Sequence, residues 1–266
     1  MIIISARKDF NNPDKLSTTG HLIKNIDLSN DQDMGDMTLN DLVEVTQNSN
    51  SLILVHGYNN EQLEVHDAYQ VIEEKINNIL PGVYDNIIGY SWPGGDHGYE
   101  WWHGKKRANS VARMFRSLLQ TISNDANNVD IMSHSLGARV TLKALKKCDQ
   151  TDIIRNYYCT APAVDNECLE PKEEFFHSVS SCNRLFVFHS SKDGVLNMTY
   201  RAAEWDRALG LSGPEDTDYI SRRARKIYVV NCKKHVKNHG GYKKSDNVYQ
   251  YINKYQDSNP SKFKTL

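Results

Sequence analysis

From residue 51 onward, short unbroken apolar runs alternate with stretches where apolar residues return every three or four positions. Ser51-Leu52-Ile53-Leu54-Val55 is one such run, and Ala68, Ile72, Ile76 and Leu80 then recur at helical spacing. Asn86 to Tyr90 predicts the next strand, followed by a clean helical stripe of Ala108, Val111, Ala112, Phe115, Leu118, Leu119 and Ile122. Val129 to Met132 reads as a strand and Ala138 to Lys147 as a helix. Ile153 to Thr160, Arg184 to Phe188 and Lys226 to Val230 read as further strands, with a helical patch near Lys172 to Ser180. Ser245 is placed to cap a closing helix whose apolar side is Val248, Tyr251, Ile252 and Tyr255. Met1 to Ser5 reads as a first strand. Residues 10 to 50, rich in Asn, Asp, Ser and Thr, predict an irregular segment with one weak strand around His21 to Ile26.

Unbroken apolar strands separated by amphipathic helices predict an α/β fold: a mostly parallel central sheet with helices on both faces. No linker or repeat divides the 266 residues, so one domain over 1–266 is expected. In such sheets, working residues gather in loops at the carboxyl ends of the strands.

Composition narrows the function classes. With 32 basic and 33 acidic residues the formal net charge is −1, which gives no electrostatic ground for a nucleic-acid partner. No apolar run approaches membrane-spanning length, and the first strand is too short for a signal peptide. Cys148, Cys159, Cys168, Cys182 and Cys232 are odd in number and scattered, so reduced thiols of a cytoplasmic protein are expected, with no metal site.

The chemistry centres on Ser133-His134-Ser135-Leu136-Gly137, between a predicted strand and a predicted helix. A tight strand-to-helix turn needs small flanking residues, and it lifts the Ser135 hydroxyl clear of the sheet beside a helix N-terminus. A serine hydroxyl needs a base, and the base needs a carboxylate to orient it. Downstream, Asp193 lies in Ser191-Lys192-Asp193-Gly194 and His239 in Asn238-His239-Gly240-Gly241-Tyr242, both after predicted strands. Asp165 also follows a strand and is the alternative acid, although the turn and glycine favour Asp193. His189 and His235 are rivals to His239: the first ends a strand, and the second sits among Lys233, Lys234 and Lys237. Ser133 is the competing nucleophile, placed at the strand end. His134 reads as a satisfied packing residue.

Three segments together resemble the α/β-hydrolase superfamily, and within it a poorly characterised bacterial branch labelled as a domain of unknown function. They are Val55-His56-Gly57-Tyr58-Asn59-Asn60, Gly89-Tyr90-Ser91-Trp92-Pro93-Gly94-Gly95 and the Ser135 turn. Ser133 departs from the glycine that many relatives carry there. The resemblance implies the α/β-hydrolase fold and an oxyanion hole formed by the backbone N–H groups of Tyr58 and Leu136. His56 would brace that loop by hydrogen bonding.

The expected activity is hydrolysis of a small-molecule or lipid carboxylic ester, esterase- or lipase-like, through an acyl-enzyme on Ser135, with no cofactor. An acyltransferase or thioesterase on the same triad, or a binding protein that keeps the fold, is the alternative. Trp92, Tyr99, Trp101 and Trp102 crowd one loop region, and Trp205 lies in another. Trp92, Trp101, Trp102 and Asp165 are therefore expected to line a substrate pocket, with lid or pocket segments near 96–107 and 195–220.

Overall fold

The computed structural model describes residues 1–58, 60–95 and 101–266. Its centre is a ten-stranded sheet of β1 (Ile2–Ser5), β2 (Leu22–Asp27), β3 (Gln32–Met37), β4 (Asn50–Val55), β5 (Asn86–Ser91), β6 (Asn128–His134), β7 (Ile154–Thr160), β8 (Cys182–His189), β9 (Ile227–Asn231) and β10 (Phe263–Thr265). The order is β10-β9-β8-β7-β6-β4-β5-β1-β2-β3. Every pairing from β10 across to β1 is parallel, and β2 and β3 add an antiparallel edge. This mostly parallel sheet agrees with the α/β-hydrolase fold that the sequence resemblance implies.

The first four helices are α1 (Leu39–Thr46), α2 (Gln62–Ile79), α3 (Trp101–Ser123) and α4 (Gly137–Leu145). The closing helix is Asp246–Tyr255. Strands β4 and β6 are buried almost throughout, as unbroken apolar runs demand when both sheet faces are covered. The α3 stripe from Ala108 to Ile122 is buried as its spacing requires.

Strand β3, helix α1 and strand β10 are among the elements that fall outside the sequence expectations. Strand β3 is exposed along nearly its whole length and is held by pairing to β2 across a register shift, so it carries no apolar alternation. Helix α1 buries only Leu42 and Thr46 and starts from a capping box between Thr38 and Asp41. Strand β10 is three exposed residues on the sheet edge beside β9. Ser245 does stand at the N-cap of the closing helix, but its side chain makes no capping bond. No helix among the described residues is long and apolar enough to cross a membrane.

Candidate active site

Ser135 stands between β6 and α4 with φ at 54°, the left-handed region that a non-glycine residue adopts at a cost. The register that sets Val55 against Ser133 brings the chain after β4 directly over this turn. A Cβ on Gly57 would come 2.8 Å from the Ser135 Cβ, and one on Gly137 only 2.4 Å from the His56 carbonyl oxygen. Close approach, more than turn geometry alone, dictates both glycines. The Ser135 N–H donates to the Thr160 carbonyl at 3.1 Å, and the Ser135 carbonyl accepts from Ala138 and Ala163. The Leu136 N–H has no acceptor among the described residues. Ser133 lies inside β6, buried, with its Oγ 2.7 Å from the Tyr157 hydroxyl.

Asp193 follows β8 and is fully buried. Its Oδ1 accepts the Leu196 N–H at 3.0 Å, which turns Oδ2 toward His239 Nδ1 at 2.7 Å. A carboxylate there calls for the proton on Nδ1, leaving Nε2 as the basic nitrogen. His239 opens the short 3-10 helix His239–Lys244 after β9. It lines the same cavity of about 230 Å³ as Ser135, together with Gly57, Tyr58 and His134.

The rival residues are engaged elsewhere. The Tyr200 hydroxyl donates to Asp165 Oδ1 at 2.6 Å, and Asp165 forms an antiparallel bridge with Ala208. His235 is exposed. His189 packs beside Gly213 at the end of β8, where burial lowers its pKa to about 4.

His134 packs, as its place in the chain suggests, with its ring centroid 4.6 Å from that of His239. Thr160 Oγ1 donates to the Ser133 carbonyl at 2.8 Å, so it accepts from His134 Nδ1 at 3.3 Å. Burial first, and then the neighbouring His239, holds His134 well below the usual histidine range and keeps it neutral.

The loop after β4 is braced from two directions. His56 Nε2 accepts the Trp92 N–H at 2.9 Å, so Nδ1 carries the proton and donates to the Gly57 carbonyl at 2.8 Å. The Trp92 indole stacks on the His56 ring and donates to the His56 carbonyl at 2.8 Å. Burial keeps His56 neutral as well. From the other direction comes Arg7, fully buried, its pKa lowered to about 10 by desolvation. Its guanidinium donates to Ser91 Oγ, the Asn12 carbonyl and, at 3.0 Å, the Asn60 carbonyl. Sequence reasoning missed Arg7 because a charge just after a first strand reads equally as a solvated turn.

The expected aromatic pocket needs correction. Among the described residues, Trp92, Trp101, Trp102 and Asp165 are not part of the cavity wall. Trp92 is spent on His56. Trp101 donates its indole N–H to Glu204 Oε1 at 2.6 Å and meets Tyr58 and Tyr200 edge-on. A buried indole needs an acceptor, and these contacts fix it as packing. Trp102 is 56% exposed, with Lys105 over its ring. Tyr99 and the rest of 96–100 lie outside the described residues. In the other expected lid segment, Trp205 is 92% exposed. The five cysteines are unpaired, and no cluster among the described residues is arranged to hold a metal.

Among solved structures, the lin2722 gene product of Listeria innocua is similar over 81% of this chain and 98% of its own, at 9% identity and TM-score 0.47. The esterase Est2 of Thermogutta terrifontis, solved with propionate, covers 80% of this chain and 83% of its own, at 11% identity and TM-score 0.41. The esterase Pf2001 of Pyrococcus furiosus covers 84% and 97%, at 10% identity and TM-score 0.40. No curated protein matches the sequence. These overlays are loose, whereas the sequence match is extensive: residues 31–254 fit a family described as alpha/beta hydrolase of unknown function (DUF900). The chain belongs to that family of α/β hydrolases.

Proposed function

We propose that this α/β hydrolase is a serine hydrolase that cleaves carboxylic esters through an acyl-enzyme on Ser135. His239 Nε2 takes the hydroxyl proton as Ser135 Oγ attacks the ester carbonyl. Asp193 holds the Nδ1 proton and stabilises the imidazolium that forms. The N–H groups of Tyr58 and Leu136 receive the oxyanion, and one such donor is worth roughly a hundredfold or more in rate. The tetrahedral intermediate expels the alcohol, protonated by His239. Water, deprotonated by the same nitrogen, then attacks the acyl-enzyme and releases the acid, restoring Ser135.

One observation carries the reading: the Asp193–His239 pair, at 2.7 Å, shares a cavity with a serine held in the left-handed region at a strand-to-helix turn. The neutral His134 beside the base adds support, since a second permanent cation there would oppose formation of the imidazolium.

The test is covalent. A fluorophosphonate probe should label the wild-type protein and leave Ser135→Ala unlabelled. Parallel assays on chromogenic esters should show turnover that the same substitution abolishes. Labelling that persists in Ser135→Ala, or a wild-type protein inert to both, would overturn the proposal.

A further inference from the structure

Resting on that reading, we infer that the acyl group of the substrate sits in an apolar cleft between α2 and the closing helix, and that the substrate is an ester of a short aliphatic carboxylic acid. The cavity that holds Ser135 and His239 is walled by Leu54 and Met132 from the sheet, Ala68 and Ile72 from α2, and Val248 and Tyr249 from the closing helix. These are aliphatic or ring surfaces contiguous with the serine, which suits them to an acyl chain covalently held on its oxygen.

Of the hydroxyls on this wall, those of Tyr69 and Tyr249 are used, whereas that of Tyr242 is buried with no partner among the described residues. The Tyr69 hydroxyl accepts the His56 N–H and lies 2.6 Å from the Tyr90 carbonyl oxygen. The Tyr249 hydroxyl donates to the Lys243 carbonyl at 3.1 Å. Against Leu54, Ile72, Met132 and Val248 an acyl chain meets no hydrogen-bonding side chain, so an aliphatic chain suits that part of the wall. Lys243, on the described part of the wall, belongs to the same short helix as His239; burial and the neighbouring Lys244 lower its pKa, and Asp67 and Glu64 of α2 oppose that shift only in part.

Length is limited too. The far side of the cleft is tied shut where α2 meets the closing helix: Asn253 donates to the Ile79 carbonyl at 2.8 Å, and Lys75 pairs with Asp246. The volume of about 230 Å³ is below that of sites for drug-sized ligands. We assign the cleft to acyl groups of about two to six carbons.

Wild-type protein and the variants Ile72→Ala, Val248→Ala, Ala68→Phe and Trp102→Ala would be assayed on p-nitrophenyl esters from acetate to dodecanoate. A fluorophosphonate with a short alkoxy group would count competent Ser135 in each. Wild type should favour short esters. Ile72→Ala and Val248→Ala should raise kcat/KM on octanoate relative to butanoate about tenfold. Ala68→Phe should lower butanoate turnover more than acetate turnover, and Trp102→Ala should leave the profile alone. If wild type and the wall variants label at Ser135 yet keep one chain-length profile, or if Trp102→Ala moves it, the cleft assignment falls while the serine-hydrolase reading stands. An unlabelled wild-type protein would remove both.

Discussion

On one side of Tyr58 stand Trp101, Tyr200 and the Glu204–Lys105 pair; on the other lie Leu54, Ile72 and Val248 around open space. Both regions adjoin Tyr58, yet one is closed and the other hollow. The aromatic side closes because each ring carries a polar handle that has found a partner: Trp101 on Glu204 and Tyr200 on Asp165. Even the backbone makes room for it. A Cβ on Gly104 of α3 would lie 2.4 Å from the Tyr58 ring. Leu54, Ile72, Met132 and Val248 carry no such handle, and the helices on their side are tied together by Asn253 to Ile79 and Lys75 to Asp246. Aromatic crowding here holds a loop still, and plainer side chains line the open space proposed for substrate.

The comparison presumes working chemistry between the two sides. Asp193→Asn tests that most severely: the amide cannot hold the Nδ1 tautomer, and kcat on a short ester should fall about 10⁴-fold. A loss below tenfold would remove the Asp193–His239 pair from the reaction and leave the two sides with nothing to serve.

The next effect is on stability. Each side rests on a buried neutral histidine, His56 against Trp92 and His134 against His239, and both are held well below the usual range by burial. His21 and His189 are lowered from 6.5 to about 4, again by burial. The unfolded chain takes up these protons first, so stability is complete above about pH 6.5 and falls as pH drops toward 4. Each of the latter two contributes up to about 3 kcal/mol over that window. Calorimetry between pH 7 and 4 should show a steadily falling Tm. A flat Tm over that range would mean that these rings titrate freely in the native protein.

Much of this site was legible in the chain because its physics is local. A small-residue turn after an apolar run, and Asp193 and His239 each just after a strand, need only spacing to be read. His56 as a loop brace was legible for a similar reason, since its partners Gly57 and Trp92 belong to the motif segments themselves. The cleft was not legible. Leu54, Ile72, Met132 and Val248 read as ordinary core positions, and only the docking of α2 against the closing helix leaves a space between them. Arg7 escaped for the same reason: its partners Ser91 and Asn60 are distant in sequence. The exposed β3 and β10 carried no apolar pattern at all.

Gly104→Ala sharpens the contrast further. Alanine inside a helix normally stabilises by about 1 kcal/mol relative to glycine. Here the added methyl would push the Tyr58 ring and shift the loop bearing the N–H proposed to receive the oxyanion. Activity on short esters should fall about tenfold, with the butanoate-to-octanoate ratio unchanged. Unaltered activity together with a raised Tm would show that α3 does not bear on that loop.

The smallest effect separates the two sides most cleanly. Trp101→Phe keeps a ring against Tyr58 and Tyr200 but removes the indole N–H from Glu204 Oε1, leaving that buried oxygen with only the Lys105 charge nearby. An unmet acceptor of this kind costs about 1 kcal/mol or somewhat more, which urea denaturation can resolve as a lower midpoint at constant m-value. Because Trp101 braces the loop from outside the cleft, the variant should keep the wild-type order of acyl-chain preference. If instead stability holds and the preferred chain length moves, the aromatic side touches substrate after all, and the division between bracing rings and a receiving cleft fails at Trp101.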